Sequence, residues 1–473
     1  MLAYKWIVLS NTTLGVTMAS LDANIVLIAL PTIGKDLPGT TIAELLWILL
    51  GYQLITASVV VNFGRLADIF GRVKLYNYGF IVFTIGSALC AFSQNSLELI
   101  LFRMIQAIGA AFLFSNSAAI LTDAFPLAER GRALGTNQVA IVVGSVLGLV
   151  LGGFLTTVAG WRSIFWINLP IGIFAIIWSH YQLHELAIIE KGQKIDLVGN
   201  ISFVAGLAAT LVAITLYAIS SLNLGQFLLL VGSGVAMFAI FILIESRTKY
   251  PMFPPGLFKI PAFVSGSLLI FLNALARGAT SLVLVLYMQG PTMGLNPFAA
   301  GIFLLPISVS LAFFGPISGW LSDKYGYRIL STSGLVISSL GFLLLAQIGQ
   351  TVTFDQLLPS LVLVGSGMGL FAAPNRASIM NSVPPPARGV ASGISTTLIL
   401  LGTTFSLGIA FLVLSFRVSI ANLDQIFLSL PTKSNPPWVG GFIDAIHSVY
   451  FLSAGFLLIA IFLSVFRNAY SAR

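Results

Sequence analysis

The sequence contains few charged residues, one cysteine and three histidines. Charged side chains make up 8% of its 473 residues, whereas soluble domains have about 25%. Hydrophobic residues make up 57%, and many form runs of roughly 20, the length that a membrane-spanning helix needs. This composition excludes an ordinary soluble domain and predicts a multi-pass protein of the cell membrane.

The scarcity of reactive side chains excludes several kinds of site. A single cysteine, Cys90, cannot form an intramolecular disulfide or a cysteine-based metal site. His180 and His184 have helical spacing, but no further ligand is near, so we interpret them as boundary residues and expect no metal. No catalytic set or phosphate-binding loop is present. We therefore expect neither an enzyme nor an ATP-driven pump, and we expect no cofactor.

Polar or Gly- and Pro-rich breaks divide the chain into apolar segments. They predict an all-α integral membrane protein with about 14 transmembrane helices, at approximately residues 6–33, 43–64, 75–93, 97–122, 134–158, 162–183, 198–220, 225–245, 262–288, 298–320, 329–349, 357–380, 389–416 and 442–466. The first segment contains Asp22 and no small-residue cleavage site. We therefore interpret it as a retained helix and not as a signal peptide.

Lysine and arginine are distributed unevenly between the predicted loops. Sixteen lie on the side of the N-terminus and four on the other side, while Arg103 and Arg277 fall inside predicted helices. Positive residues are enriched in cytoplasmic loops, so both termini are predicted to be cytoplasmic. The net charge of +8 then reflects membrane topology, and we expect no nucleic-acid partner.

One polar loop occurs twice in the chain. It reads Gly64-Arg-Leu-Ala-Asp68-Ile-Phe-Gly71-Arg72-Val-Lys74 and, 255 residues later, Gly319-Trp-Leu-Ser-Asp323-Lys-Tyr-Gly326-Tyr-Arg328. A second pair, Arg130-Gly-Arg-Ala-Leu-Gly135 and Arg388-Gly-Val-Ala-Ser-Gly393, has an offset of 258 residues. Duplication in a helical membrane protein indicates a transporter built from two parallel six-helix repeats.

Eight predicted helices separate the two loops where six would suffice, so two helices are inserted between the repeats. We predict an N-terminal six-helix half over residues 1–190, the inserted pair over 191–250, and a C-terminal six-helix half over 251–473 that begins with a Pro-rich cytoplasmic linker. The inserted pair, from about Asp196 to Glu245, is expected to contain no buried charge and to act as a spacer or lipid-facing element. The longest outer loop, about residues 417–441, is expected to be irregular.

The repeated loops have the composition of a cytoplasmic gate. Their glycines permit tight turns: Gly64, Gly71, Gly319 and Gly326. Asp68 and Asp323 can accept backbone N–H groups or pair with Arg72 and Arg328, respectively. Contacts that form in one state and break in another produce a latch. The alternative is that these charges only set membrane topology.

Three charges are predicted at membrane depth, where they are costly and normally face the bundle interior or an aqueous cavity. Asp22 lies roughly 17 Å from the outer end of its helix. Burial favours its neutral form and a nearby arginine favours its carboxylate, so a conformational change can load and unload a proton; the alternative is a permanently paired structural acid. Arg103 lies roughly 9 Å from the outer end and can act in proton relay or extend to the interface.

Arg277 is too far from either end of its helix for its side chain to reach water. It lies roughly 17 to 22 Å from either end of its helix, and Asn273 is one turn earlier on the same face. The pair is interpreted as lining of a central cavity, with a substrate or gating role for Arg277. A buried structural ion pair is the alternative.

The motifs resemble those of the major facilitator superfamily, and within it the fourteen-helix drug/proton antiporters. The loop over residues 64–74 matches the superfamily's loop between helices two and three. Ser20-Leu-Asp22-Ala-Asn-Ile-Val-Leu-Ile-Ala-Leu-Pro31 resembles the first-helix signature, Arg103-Met-Ile-Gln106-Ala-Ile-Gly109 the fourth-helix motif, and Trp161-Arg162 leading to Asn168-Leu-Pro170 the entry to the sixth helix. The resemblance covers nearly the whole sequence.

The fifth helix departs from the family pattern at one position. The antiporter motif has proline where this chain has Leu149, within a glycine series that comprises Gly144, Gly148, Gly152 and Gly153. The small-residue spacing predicts close helix packing, while the proline kink is missing. The family associates this motif with exchange and a leak-tight pore.

The resemblance implies a secondary transporter that works by alternating access and is driven by the proton gradient. We expect a monomer that exports small amphiphilic compounds, with Asp22 and Arg103 in proton coupling and Gln106, Asn273 and Arg277 in the substrate cavity. A proton-coupled importer and a lipid or glycolipid flippase are alternatives within transport. A multi-span enzyme or a receptor is less well supported, because the chain shows neither a catalytic cluster nor a soluble output domain.

Overall fold

A computed structural model describes residues 4–126, 129–186, 196–248, 251–384, 387–428 and 436–466, and all regular structure in these ranges is helical. The α-helices are α1 (Tyr4–Asp36), α2 (Ile42–Phe70), α3 (Arg72–Phe92), α4 (Ser96–Ala124), α5 (Arg130–Ala159), α6 (Ser163–Trp166), α7 (Asn168–Gln182), α8 (Leu197–Ala218), α9 (Leu224–Arg247), α10 (Pro261–Arg277), α11 (Thr280–Gln289), α12 (Pro297–Tyr325), α13 (Tyr327–Leu345), α14 (Phe354–Ser382), α15 (Arg388–Arg417), α16 (Ile420–Leu428) and α17 (Val439–Val465). A short 3₁₀ helix, Leu257–Lys259, precedes α10.

Fourteen helical segments within the described ranges are long and apolar enough to cross a membrane, which confirms the predicted number of spans. Two of them are interrupted. The sixth consists of α6 and α7, and the ninth consists of α10 and α11, which are separated by Gly278 and Ala279. The expectation of an irregular outer loop was wrong for α16, where Leu423 and Ile426 are buried at helical spacing.

Side-chain caps fix where several spans begin. Thr41 and Glu44 form a capping box at the start of α2, in which each side chain accepts from the other residue's backbone N–H. Asn95 and Asn296 accept from the third residue of α4 and α12, respectively. These caps satisfy N–H groups that the first turn of a helix leaves without intrahelical partners.

The chain divides into two compact units. The first comprises Met1–Val204 and Ile240–Met252, and the second comprises Ala205–Ala239 and Phe253–Arg473. Within the first, α1 packs along α5, and α4 packs against α2 and α3. Within the second, the corresponding helices pair in the same way, α10 with α15 and α14 with α12 and α13. Equivalent pairings are what two copies of one six-helix repeat produce, while the predicted bounds of the halves remain a prediction.

The inserted pair does contain buried charge, contrary to the expectation from sequence. Asp196, just before α8, and Glu245, in the last turn of α9, are both buried. Their carboxylates accept the backbone N–H groups of Gly199 at 2.8 Å and Met252 at 2.9 Å. Both also interact electrostatically with Arg65 of the first repeated loop. The expectation failed because these acids lie at helix ends, where backbone groups and a cation stabilise them.

Candidate functional site

Asp22 lies near the middle of α1 and is buried against α4. It is roughly 21 Å from the last residue of the helix. Its carboxylate forms an ion pair with Arg103, and the two side chains are 0% and 1% exposed. Arg103 therefore points into the bundle of the first unit and not toward the membrane interface.

Two amides complete the surroundings of the Asp22 carboxylate. Gln106, one turn after Arg103, donates from Nε2 to Asp22 Oδ1 at 2.8 Å, and Asn168 of α7 donates to the same oxygen at 2.9 Å. The Gln106 amide oxygen accepts from Arg103 at 2.7 Å. Asn168 also lies 3.1 Å from the hydroxyl of Ser87 in α3. Side chains of α4 and α7 thus meet at one carboxylate of α1, which as an ion can only accept hydrogen bonds.

Apolar and aromatic groups close the cluster around Arg103. The guanidinium carbon lies 4.1 Å from the ring centroid of Tyr52 and 5.9 Å from that of Phe165. Cys90 Sγ lies 3.8 Å from the amide oxygen of Gln106. Among the described residues, Arg103 Nε and the Tyr52 hydroxyl have no hydrogen-bond partner. We call Asp22, Arg103, Gln106 and Asn168 the Asp22 cluster.

The first repeated loop holds a second charged group at the predicted cytoplasmic side. Arg72 donates from Nε to Asp68 at 2.9 Å and from Nη1 to both carboxylate oxygens of Asp123 in α4, at 2.7 and 2.8 Å. The structure therefore brings the predicted pair together and adds Asp123, which the motif does not contain. A single nitrogen of Arg72 thus contacts both oxygens of Asp123, and this charged pair joins α3 to α4.

Glu185 stabilises the turn between α2 and α3. Its carboxylate accepts the backbone N–H of Val73 at 2.9 Å, at the N-terminus of α3, where an anion is favoured. Gly71 has a φ of 103°, a conformation that other residues rarely adopt, and a Cβ there would lie 2.8 Å from the carboxylate oxygen. The corresponding Gly326 has a φ of 86°. In both loops glycine is therefore required by the backbone conformation.

The other glycines that recur in the two loops, Gly64 and Gly319, have a different environment. A Cβ at Gly64 would meet no atom within 4 Å, and one at Gly319 would meet only Ala373 at 3.9 Å. Packing therefore leaves room for a side chain at either position.

The second repeated loop makes a different contact. Arg328 donates to the backbone carbonyl of Val465 at the end of α17. Asp323 belongs to α12, but its side chain lies outside the described part of the structure. The predicted Asp323–Arg328 pair therefore stays a prediction.

The glycine series of α5 lies against α1. Side chains at Gly144, Gly148 or Gly152 would bring Cβ to within 3 Å of atoms in α1, including backbone at the first two positions. Gly153 is buried beside Gly152. The two helix backbones thus approach too closely for any side chain larger than hydrogen. α5 continues through Leu149 as one helix of 30 residues.

The residues predicted to line the substrate cavity belong to both units, so their common cavity stays a prediction. Gln106 is fully buried in the Asp22 cluster of the first unit, whereas Asn273 and Arg277 belong to α10 in the second unit. Arg277 is the last residue of α10, directly before the interruption at Gly278, and its side chain is half-buried. Among the described residues it forms no hydrogen bond and no ion pair.

Sequence reasoning missed five residues that the structure places at these sites. Asn168 lies in a quoted motif without an assigned role, and Tyr52, Asp123 and Glu185 carry no local pattern. Arg376 of α14 lies roughly 9 Å from the end of its helix and donates to Ser392 at 3.2 Å. A full list of charges inside predicted helices would have included Arg376.

The described residues contain no group of three or more His, Cys, Asp or Glu side chains that could hold a metal ion. His184 instead stacks on Tyr4, with 5.6 Å between ring centroids. Its backbone N–H donates to the Tyr4 hydroxyl at 2.7 Å. This contact joins the start of α1 to the segment after α7.

Comparisons with known proteins agree with the helical architecture. The Major Facilitator Superfamily profile matches residues 12–407 and 266–472. A bacterial homologue of the human lysosomal transporter Spinster, solved in an inward-facing and unoccupied conformation, superimposes with a TM-score of 0.69 at 17% identity over 100% of both chains. At this identity the similarity establishes the fold alone.

Relatives in sequence are named as transporters. The riboflavin transporter RibZ of Clostridioides difficile (strain 630) is 31% identical over 462 residues, 98% of this chain and 97% of RibZ. The multidrug resistance protein Stp of Mycobacterium tuberculosis (strain CDC 1551 / Oshkosh) is 30% identical over 405 residues, 84% of this chain and 74% of Stp. With 14 candidate spans, the chain is a multi-pass cell-membrane transporter and not an enzyme, and it belongs to the major facilitator superfamily.

Proposed function

We propose that this protein is a proton-coupled exporter of small amphiphilic compounds that works by alternating access. The observation that carries the proposal is the Asp22 cluster, a carboxylate at membrane depth whose charge is balanced by a single arginine. A charge at this depth is costly, and it is retained where it has a permanent partner or a function. In the proposed cycle, a proton bound to Asp22 replaces Arg103 in neutralising the carboxylate.

Protonation of Asp22 changes every contact of the cluster. The neutral acid carries one O–H donor. With the proton on Oδ2, the oxygen that pairs with Arg103, the acid no longer balances the charge of Arg103. Oδ1 then accepts from Gln106 and Asn168 as an uncharged and therefore weaker acceptor. Arg103 keeps the amide oxygen of Gln106 and the face of the Tyr52 ring as partners. These two contacts lower the cost of the cation while Asp22 is neutral.

The cluster can therefore convert proton binding into helix movement. Asp22 lies on α1, Arg103 and Gln106 on α4, and Asn168 on α7. Since the hydrogen bonds join three helices, loss of the charge on Asp22 loosens α1 from α4 and α7 together. The close packing of α5 on α1 at Gly144 and Gly148 makes α5 follow α1 as one body.

The pair of Arg72 with Asp68 and Asp123 is proposed as the cytoplasmic latch. The three side chains are partly exposed, so water can replace their contacts at moderate cost when the latch opens. The repeated loop around Asp323 and Arg328 is proposed to do the same in the second unit. Exchange between two discrete arrangements is what alternating access requires.

The Asp22 cluster is compatible with transport in either direction. Relatives named as multidrug resistance proteins favour export, whereas a riboflavin transporter is compatible with either direction and with a narrow substrate range. Import coupled to protons is the second candidate, and it uses the same cluster in the reverse order.

The proposal is tested in proteoliposomes that contain the purified protein in known orientation. Accumulation of ethidium and of riboflavin is measured with a pH gradient of either sign and with no gradient. We expect uphill movement of at least one compound against proton flow, and its collapse when a protonophore is added. Transport that proceeds equally with and without a gradient would falsify proton coupling, and movement along the proton flow would replace export by import.

A further inference from the structure

Arg277 is an arginine at membrane depth that has no anionic partner in the described structure. It lies roughly 18 Å from the nearer end of the span Pro261–Gln289. No acidic side chain among the described residues interacts with it electrostatically. Arg277 is half-buried, and a cation at this depth normally pairs with an anion or faces an aqueous cavity. An anion that pairs with Arg277 is therefore expected to come from outside the chain.

The two repeats differ in charge at this position. Asp22 precedes Gly64 by 42 residues, and Arg277 precedes Gly319 by the same 42 residues. The first repeat thus carries an acid in its first helix together with its own arginine, Arg103. The second repeat carries an arginine there, and the acids of its described helices lie near helix ends, as Asp355 and Asp444 do. The proton site of one repeat corresponds in sequence to a cation in the other.

Two further polar residues lie close to Arg277 in the sequence. Asn273, one turn earlier, is 6% exposed. Thr280, the first residue of α11, is 5% exposed, and its hydroxyl has no hydrogen-bond partner among the described residues. Buried polar groups are usually hydrogen-bonded, so this exception requires an explanation. An amide N–H, a hydroxyl and a guanidinium are the donors that recognise an oxyanion.

The interruption of the ninth span contacts α15. The backbone N–H of Ala279 donates to the hydroxyl of Ser406 in α15 at 2.9 Å. A Cβ at Gly278 would approach Thr403 and Ser406 of the same helix to within 3 Å. α15 therefore fixes the break but supplies no negative charge to Arg277. Interrupted helices near the middle of the membrane are where transporters of this kind place binding groups.

We propose that Arg277, with Asn273 and Thr280, binds the anionic group of a transported amphiphile, a carboxylate or a phosphate. The inference rests on the proposed transport function and adds to it the substrate's charge. The guanidinium pairs with two oxygens of the anion, and the amide and hydroxyl complete its hydrogen bonds.

Binding of two matched probes to the purified full-length protein tests the site. The protein is placed in nanodiscs of phosphatidylcholine, and the dissociation constants of 1-pyrenebutyrate and 1-pyrenebutanol are measured by fluorescence anisotropy. The two probes share a ring and chain and differ in charge. The variants are Arg277→Ala and Arg277→Lys. Lys259→Ala is the control, because it removes an exposed cation from the turn before the same span.

We expect the parent protein to bind 1-pyrenebutyrate about tenfold more tightly than 1-pyrenebutanol. Arg277→Ala should abolish that difference by weakening the carboxylate alone, and Arg277→Lys should restore part of it. Lys259→Ala should change neither probe by more than about twofold. Equal affinities in the parent overturn the inference, as does an Arg277→Ala variant that keeps the preference or loses both probes equally.

The anion can belong to a soluble compound or to a lipid headgroup, and a second set of nanodiscs distinguishes them. If phosphatidylglycerol competes with 1-pyrenebutyrate in the parent, the site accepts a lipid headgroup. If binding persists, the site prefers a soluble amphiphile. Neither measurement needs a proton gradient, so equal binding overturns the anion site without affecting proton coupling by Asp22. Conversely, loss of proton coupling in proteoliposomes leaves the binding result intact.

Discussion

The amide of Asn168 in α7 donates to the same oxygen of Asp22 that accepts from Gln106 in α4, at 2.9 and 2.8 Å. One carboxylate oxygen therefore links α1 to two other helices, while the second oxygen pairs with Arg103. Under the proposed mechanism, a change in the charge of Asp22 alters contacts among three helices. The proposed coupling mechanism depends on this geometry.

Replacement of Asp22 by Asn is the first test of coupling. The amide keeps the volume of the side chain but cannot titrate, so we expect proton-driven accumulation to fall to the level without a gradient. Exchange of substrate across the membrane without a gradient should persist. Asp36→Asn is the control, since Asp36 is exposed at the end of the same helix. If Asp22→Asn drives uphill transport as well as the parent, the proton binds elsewhere.

The stability of the Asp22 cluster gives a second prediction. Arg103→Gln leaves a buried carboxylate without its cation, and we expect a loss of about 3 to 5 kcal/mol in the free energy of unfolding. Adding Asp22→Asn removes that unpaired charge, so the double variant should be more stable than Arg103→Gln alone. Unfolding of the purified variants in detergent by denaturant measures both values. Independent, additive losses would show that the two charges do not depend on each other.

Much of the fold was predictable from the sequence, because each span is marked by its own residues. Apolar length identifies a membrane helix locally, and the repeated loops give the order of the halves. The two interruptions were not predicted. Gly278 and Ala279 break α10 from α11 without proline or any run of polar residues, and the cause is a tertiary contact, the hydrogen bond from Ala279 to Ser406.

The candidate site was only partly predictable from the sequence. Asp22 and Arg103 stand out because a charge in an apolar run is costly, and the sequence allowed a pair between them. The contribution of Asn168 could not be derived, since an amide in a helix carries no such signal and lies 146 residues away. Asp123 was missed for a similar reason. It pairs with Arg72 only because α4 lies beside α3 in the fold.

The proposed cytoplasmic latch gives a third prediction. Asp123→Asn removes one of the two acidic partners of Arg72. A partly exposed ion pair contributes about 1 kcal/mol, so we expect its loss to shift the ratio of open to closed states about fivefold. Ser115→Cys in α4, in a Cys90→Ser background, reports the shift as a faster rate of maleimide labelling from the cytoplasmic side. Asp68→Asn and Asp323→Asn should act in the same direction.

The matched control for the latch is Asp444→Asn, which removes an exposed acid of α17 and should leave the labelling rate unchanged. Unchanged labelling in Asp123→Asn and Asp68→Asn, together with normal transport, would favour the alternative that the loop charges only set topology.

The close packing of α5 on α1 gives a fourth prediction. Gly148→Ala places a methyl group within 3 Å of the backbone of α1, so we expect a loss of about 1 to 3 kcal/mol in the free energy of unfolding. Gly135→Ala is the same substitution in the same helix at a position where a Cβ meets no atom within 4 Å. There the higher helix propensity of alanine should stabilise the protein by about 0.5 to 1 kcal/mol. Equal effects at the two sites would show that α5 can move away from α1 without cost.

The charge balance at membrane depth gives a fifth prediction, which concerns cationic substrates. Among the described residues, Asp22 is the buried acid nearest the middle of a span, and Arg103 already neutralises it. Arg277 and Arg376 add two positive charges in the second unit without an acidic partner among the described residues. A dication must lose the water around both of its charges, and no unpaired carboxylate at membrane depth among the described residues compensates for that loss.

We therefore expect ethidium, a monocation, to be exported about tenfold faster than propidium, a dication with the same ring system. Initial rates of both compounds, measured in proteoliposomes under the same imposed pH gradient, give the ratio. Arg277→Ala should lower it, because the variant repels the second charge less, whereas Lys259→Ala should not. Rapid export of propidium by the parent protein, or an unchanged ratio in Arg277→Ala, would mean that acids outside the Asp22 cluster balance the substrate's charge.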